Sequence, residues 1–132
     1  MIQNTYNITN EYNLGVQLKD TDPIKSYKHF SFALESAVIK LKNNTITPND
    51  YYYYLGLLYM NKYGGITKST SSDITAYSYL LRSADLGHAE AQYEYAIRMK
   101  DINMEECKKY LEKAANQNHQ GAIDAIKNIN NK

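Results

Sequence analysis

The chain of 132 residues carries 15 Lys and Arg against 14 Asp and Glu, which gives a formal net charge of +1. A near-neutral chain lacks the strongly basic surface of most nucleic-acid-binding domains and the polybasic segments that bind anionic membranes. Its single cysteine excludes an internal disulfide, and no apolar run approaches the roughly 18 residues of a transmembrane helix. Since the N-terminus also lacks the features of a signal peptide, the sequence predicts a soluble cytoplasmic protein without nucleic-acid or membrane partners.

Helix-start signals divide the chain. Asp22-Pro23 and Thr47-Pro48 each place an N-cap residue before a proline, which is tolerated in the first turn of a helix. Ser72-Asp73 reads as a third cap, and Asn103 with Glu106 resembles a capping box. Apolar residues recur at helical spacing between these signals, and no segment alternates with the period of a strand. In chain order the pattern predicts seven helices, at about 5–19, 23–42, 48–62, 72–86, 89–100, 103–117 and 120–130.

The predicted helices match one another at regular intervals. Leu14-Gly15 in the first helix is followed 41 residues later by Leu55-Gly56, and after a further 40 residues by Tyr95-Ala96. The segment 83–88 likewise aligns with 114–119, at a displacement of 31 residues. Intervals of this order, with two helices in each unit, are typical of helical repeat proteins.

Small residues occupy matching positions in these units and have a packing reason. Gly15, Gly56 and Ala96 allow a partner helix to approach the backbone closely. Gly87 and Asn118 follow two of the second helices, where a residue in the left-handed conformation is expected.

The best-matched part of the chain resembles a known repeat family. Residues 54–59, the Gly64-Gly65-Ile66 turn and the segment 76–93 together are similar to a Sel-one-like repeat, a tetratricopeptide-like helical hairpin. The resemblance extends over 51–126 and is weakest over 1–42.

The resemblance implies an all-α fold, a right-handed α-α superhelix of about three and a half antiparallel hairpins. These hairpins would span about 5–42, 48–86 and 89–117, with a capping helix at 120–130, in a single domain over residues 1–132. Proteins of this family serve as scaffolds and adaptors, so the resemblance implies protein binding without catalysis.

In such a superhelix the first helix of each hairpin lines a concave groove. Counted from the Leu-Gly register, three positions in each of these helices are expected to face the groove, and Arg98 is expected at its rim. The candidate partner-binding residues are Tyr12, Val16, Lys19, Tyr53, Leu57, Met60, Tyr93, Ile97, Arg98 and Lys100. Tyrosine and arginine are common in binding hot spots, but tyrosines at these positions could equally pack between neighbouring helices.

No residue pattern indicates catalysis, a cofactor or a metal site. His88 and His119 are a whole hairpin apart, which favours a structural role at matching turns over zinc binding. Cys107 stands where the family has a small residue and is expected to be buried. The run from Tyr51 to Tyr54 cannot form one base-stacking platform, because consecutive helical residues point in different directions.

The sequence therefore predicts a protein–protein interaction scaffold whose groove holds a peptide or helix of an unknown partner protein. The alternative is a structural module that associates with copies of itself. Since both predicted ends are polar, a monomer is expected more than a homo-oligomer.

Overall fold

The structure, a computed structural model, describes residues 7–61 and 70–131, with the backbone alone over 70–73. Within these ranges the chain is helical and contains no strand, which confirms the all-α prediction. The helices are α1 (Ile8–Leu18), α2 (Pro23–Lys42), α3 (Pro48–Met60), α4 (Thr70–Asp85), α5 (Ala89–Met99), α6 (Met104–Ala115) and α7 (Gln120–Asn130). Each corresponds to one predicted helix.

Side-chain caps explain where these helices begin. The Asp22 carboxylate accepts a hydrogen bond from the backbone N–H of Lys25, and Asn103 caps α6 in the same manner. Thr47 and Asp50 form a reciprocal capping box at the start of α3. The predicted cap at Ser72-Asp73 is wrong, because α4 already begins at Thr70. The Gly64-Gly65-Ile66 turn lies outside the described residues.

Each helix packs mainly on the helices that precede and follow it in the chain. The buried apolar residues form two clusters that also follow chain order. The N-terminal cluster includes Phe30 of α2 and Leu58 of α3, and the C-terminal cluster includes Leu80 of α4 and Leu111 of α6. None of the helices in the described part of the chain combines the length and apolarity needed to cross a membrane.

Candidate functional site

An open cleft of about 640 Å³ lies where α1, α3 and α5 meet, and is called the first cleft below. It brings together six of the ten sequence-predicted site residues. These six are Tyr12, Lys19, Tyr53, Leu57, Met60 and Arg98, and the lining is completed by Asn61, Tyr77 and Glu94. The repeat register thus selected residues that are far apart in sequence and close in space.

Asn61, the C-cap residue of α3, connects two helices at one end of this cleft. Its side-chain nitrogen donates to the Tyr12 hydroxyl oxygen and to the Leu57 carbonyl oxygen, both at 2.8 Å. Its amide oxygen lies 3.4 Å from the Lys19 ammonium, which donates to it. Burial raises the pKa of Tyr12, so its hydroxyl stays protonated. The arrangement holds α1 against α3 and leaves Lys19 at the edge of the cleft.

Arg98 and Glu94 supply the charges on the α5 side. The Arg98 guanidinium donates from Nε to the Met60 sulfur at 3.1 Å, and one of its terminal nitrogens lies 3.9 Å from the Glu94 carboxylate. Burial raises the pKa of Glu94, although Arg98 acts in the opposite direction. With Lys19 opposite, the cleft has two cationic side chains and one carboxylate, so its charge favours an anionic or acidic group.

Tyr53 lines the first cleft and also supports the fold. Its ring stacks on the His88 imidazole, with 4.5 Å between ring centroids and 25° between planes. Burial, followed by the nearby carboxylates Glu90 and Glu94, raises the pKa of Tyr53 well above its ordinary value. The neutral hydroxyl is therefore the form that the cleft presents.

A second cleft of about 590 Å³ lies between α5, α6 and α7. It contains three further predicted residues, Tyr93, Ile97 and Lys100, and its other walls are largely apolar. Those walls include Met104, Leu111, Ala125 and Ile129. Tyr93 stacks on His119 at 4.6 Å and 24°, which repeats the pairing of Tyr53 with His88.

The tenth predicted residue, Val16, contributes to neither of these two clefts. It lies on α1 with 37% of its surface exposed, while Leu57, at the matching position of α3, is only 8% exposed and lines the first cleft.

In the first cleft, the sequence register missed three lining residues, namely Asn61, Tyr77 and Glu94. Asn61 follows the last turn of α3 directly after Met60, and Glu94 follows Tyr93, so counting one position further would have found both. Tyr77 belongs to α4, which the sequence predicts as the second helix of a hairpin, and no rule about first helices could have selected it.

Comparison with known proteins returns no match. No family model, no curated protein and no solved structure matches this chain.

The cysteine and two of the histidines are buried or cap helices. Cys107 is fully buried, and this burial raises the pKa of its thiol, which is the opposite of what a nucleophilic thiolate requires. His88 and His119 are the N-caps of α5 and α7, in agreement with the matching structural roles predicted for them. Across residues 7–61 and 74–131, no three His, Cys, Asp or Glu side chains gather as a potential metal site.

The tyrosine run of α3 does not form one face. Tyr52 stacks on Tyr79 of α4 at 6.0 Å, whereas Tyr53 stacks on His88. Tyr54 packs against the N-terminal cluster. Consecutive tyrosines point to different neighbours, as the helical geometry predicted.

Proposed function

We propose that this chain is a protein–protein interaction scaffold of the Sel-one-like kind. In this proposal its hairpins stack into a right-handed superhelix, and the first cleft holds an extended segment or helix of a partner protein. The observation that carries the proposal is the convergence of six register-predicted residues from α1, α3 and α5 on one cleft. Helix packing in chain order and two successive core clusters support the stacked arrangement.

The chemistry of the two clefts suggests how a partner would be recognised. Lys19 and Arg98 exceed the single carboxylate of Glu94 in the first cleft, so an acidic side chain would find complementary charge there. The second cleft, with Ile97 and Leu111 in its walls, would accept an apolar side chain of the same segment.

Selection of short random peptides against the immobilised protein, followed by affinity measurements in solution, tests this proposal. Lys19→Glu and Arg98→Glu are better probes than truncation of Tyr53, because Tyr53 also supports His88. Each charge reversal is expected to lower the affinity of the selected peptides about tenfold. This factor corresponds to roughly 1.4 kcal/mol, the loss of one charge interaction.

The matched control is Lys28→Glu on α2, an exposed lysine on a helix that lines neither cleft. It should leave peptide affinity unchanged. Selected peptides that bind both cleft reversals as tightly as the original protein would refute the proposed binding surface.

Self-association is a second candidate, favoured by a set of exposed isoleucines. Ile24, Ile74 and Ile102 are 69%, 66% and 68% exposed, and they lie near the starts of α2, α4 and α6. In a stack of hairpins these helix starts would share one edge, which a second copy of the chain could cover.

Sedimentation at several protein concentrations tests this second candidate. A self-associating protein should grow in mass with concentration, and Ile24→Lys with Ile102→Lys should abolish that growth. Leu86→Lys is the control, because Leu86 is 54% exposed but follows the opposite end of α4. A monomer at every concentration eliminates self-association.

A further inference from the structure

His88 and His119 cap the helices α5 and α7 in the same way. The Nδ1 atom of His88 accepts a hydrogen bond from the backbone N–H of Ala91 at 3.0 Å, and that of His119 accepts from Ala122 at 3.1 Å. A ring nitrogen can accept only when it carries no proton. Both rings must therefore be neutral, with their single proton on Nε2, for the two caps to exist.

The Nε2 atoms face carboxylates of the preceding unit. His88 Nε2 lies 3.2 Å from Asp50, at the start of α3, and His119 Nε2 lies 2.5 Å from Glu90, at the start of α5. Each carboxylate accepts the Nε2–H and so fixes the tautomer that leaves Nδ1 free to cap. The same arrangement of acid and cap histidine thus occurs twice, once at each of these helix junctions.

Each histidine ring also covers a tyrosine of a cleft. His88 stacks on Tyr53, which lines the first cleft, and His119 stacks on Tyr93, which lines the second. Each tyrosine lies one helical turn after the carboxylate of its unit. The N-caps and the walls of both clefts consequently depend on the same two imidazoles.

We propose that His88 and His119 form a paired proton-sensitive element that controls the two clefts. A second proton, taken from solvent onto Nδ1, turns the acceptor of each cap into a donor that faces a backbone N–H. The cap hydrogen bond is lost, the ring moves away from Ala91 or Ala122, and the stacked tyrosine loses its support. Acid therefore opens the first turns of α5 and α7 and loosens both clefts.

Burial and the nearby carboxylates act in opposite directions on the protonation of His88. Asp50 and Glu90 act on His88 and favour its charged form, but burial outweighs them and lowers the pKa of His88. His119 faces Glu90 and is also within the electrostatic reach of Glu94, both from α5. Glu90 acts on both rings and so couples the two sites. Uncapping of His88 thus requires a pH below the ordinary histidine value of about 6.5.

Amide hydrogen exchange on the full 15N-labelled chain, from about pH 7.5 to about pH 5, tests the proposal without any partner. After correction for intrinsic exchange, protection at Ala91 and Ala122 should fall about fivefold, the effect of losing one N-cap. The Glu106 amide is an internal control, because its cap, Asn103, does not titrate. Long-range 1H–15N spectra should show the Nε2–H tautomer of both histidines at neutral pH.

Variants separate the element from general acid effects. His88→Asn and His119→Asn keep a cap acceptor that cannot be protonated. The acid-induced loss of protection at Ala91 and Ala122, measured relative to Glu106, should therefore disappear. His29→Gln should not change this acid-induced loss of protection, because His29 pairs with Glu11 and caps no helix. Protection at Ala91 and Ala122 that follows Glu106 at every pH, or a loss that survives in the asparagine variants, would overturn the proposal.

The link to the clefts rests on the proposed function and has its own readout. The affinity of peptides selected for cleft binding should fall between about pH 7.5 and about pH 5 for the original protein, and it should change much less for the double asparagine variant, which lacks both rings at every pH. If amide protection at Ala91 and Ala122 falls in acid but peptide affinity does not, only the proposed control of the clefts is overturned. Failure of the proposed function would be detected separately, because peptides would then bind the Lys19→Glu and Arg98→Glu variants as tightly as the original protein.

Discussion

Gly15 and Gly56 lie where a side chain would overlap the neighbouring helix. A Cβ atom on Gly15 would approach the Phe30 ring to 2.5 Å, and one on Gly56 would lie 2.8 Å from the Leu80 Cγ. The second site is the stricter, because the same Cβ would also lie 3.2 Å from the Leu80 backbone nitrogen. A backbone atom moves only if the whole helix moves.

Gly56→Ala is therefore expected to destabilise the protein. Alanine gains up to about 1 kcal/mol over glycine in helix propensity, but overpacking costs about 1–3 kcal/mol. Because the clash includes a backbone atom, the cost lies in the upper part of this range, and we expect a net loss of about 1–2 kcal/mol in the free energy of unfolding, measured in urea. Asn13→Ala, at an exposed position of α1, adds helix propensity without a clash and should stabilise slightly. A Gly56→Ala protein as stable as the original would contradict the close approach of α3 and α4.

Glu94 makes a different prediction, which concerns pH. Burial raises the pKa of this carboxyl above its value in the unfolded chain, so the charged form weakens the folded state. Stability linked to Glu94 rises as the pH falls through the folded pKa and levels off below about 4.3, the unfolded value. Glu94→Gln should therefore unfold at a higher temperature than the original protein at neutral pH, and the difference should vanish near pH 4. A difference of the same size at both pH values would show that burial of the charge is not its cause.

At the scale of elements, the helices α2, α4 and α6 end in the same way. Asn44, Gly87 and Asn118 all have positive φ, at 57°, 99° and 65°. The residue after each donates a backbone hydrogen bond to the carbonyl five positions back, as His88 does to Ser83 at 3.1 Å. This is the Schellman arrangement, which satisfies carbonyl groups that a helix end leaves unpaired. The left-handed residues predicted at Gly87 and Asn118 are confirmed.

Substitutions at two of these helix ends should change the free energy of unfolding in opposite directions. Gly87→Ala is expected to cost about 1 kcal/mol, because alanine resists the left-handed conformation. No atom lies within 4 Å of the added Cβ, so backbone strain is the only cost. Asn118→Gly should stabilise by about 0.5–1 kcal/mol, since glycine adopts this conformation more readily. Urea unfolding of both variants checks the pair, and changes of the same sign would contradict it.

Most helix boundaries could be predicted because their signals are local. A cap such as Asp22 or Asn103 bonds to a backbone group three residues away, so the relevant chemistry is visible in a short segment. The start of α4 was predicted two residues late, at Ser72-Asp73, because hydroxyl-rich sequence from Ser69 to Ser72 offers several possible caps. The capping role of the histidines was less visible, since histidine is not among the preferred N-cap residues.

At the scale of the whole molecule, the repeat register located most of the first cleft but not its chemistry. The spacing of Leu-Gly pairs placed Tyr12, Tyr53 and Lys19 on one side of the first helices, and they do meet there. It could not predict that Asn61 would bridge α1 and α3, or that Tyr77 would enter from α4. Those contacts depend on the angles between helices, which are set by packing and not by position in a repeat.

The two core clusters offer a test that distinguishes a stack of hairpins from a single globular unit. Leu58 belongs to the N-terminal cluster and Leu111 to the C-terminal cluster, and both are almost completely buried. In a stack each unit contacts only its neighbours, so a local defect should remain local. Leu58→Ala and Leu111→Ala are a matched pair, because each removes the same atoms at a cost of about 2–5 kcal/mol.

Native-state hydrogen exchange of the two variants provides the measurement. Leu58→Ala should reduce protection mainly in α1–α3, and Leu111→Ala mainly in α5–α7, because each cavity weakens the contacts of its own cluster. The original protein gives the reference for each amide, and the unaffected end of each variant serves as its internal control. Equal loss of protection in all described helices in both variants would mean that the molecule unfolds as one cooperative core. In that case the proposed superhelix, and the groove that depends on it, would have to be abandoned.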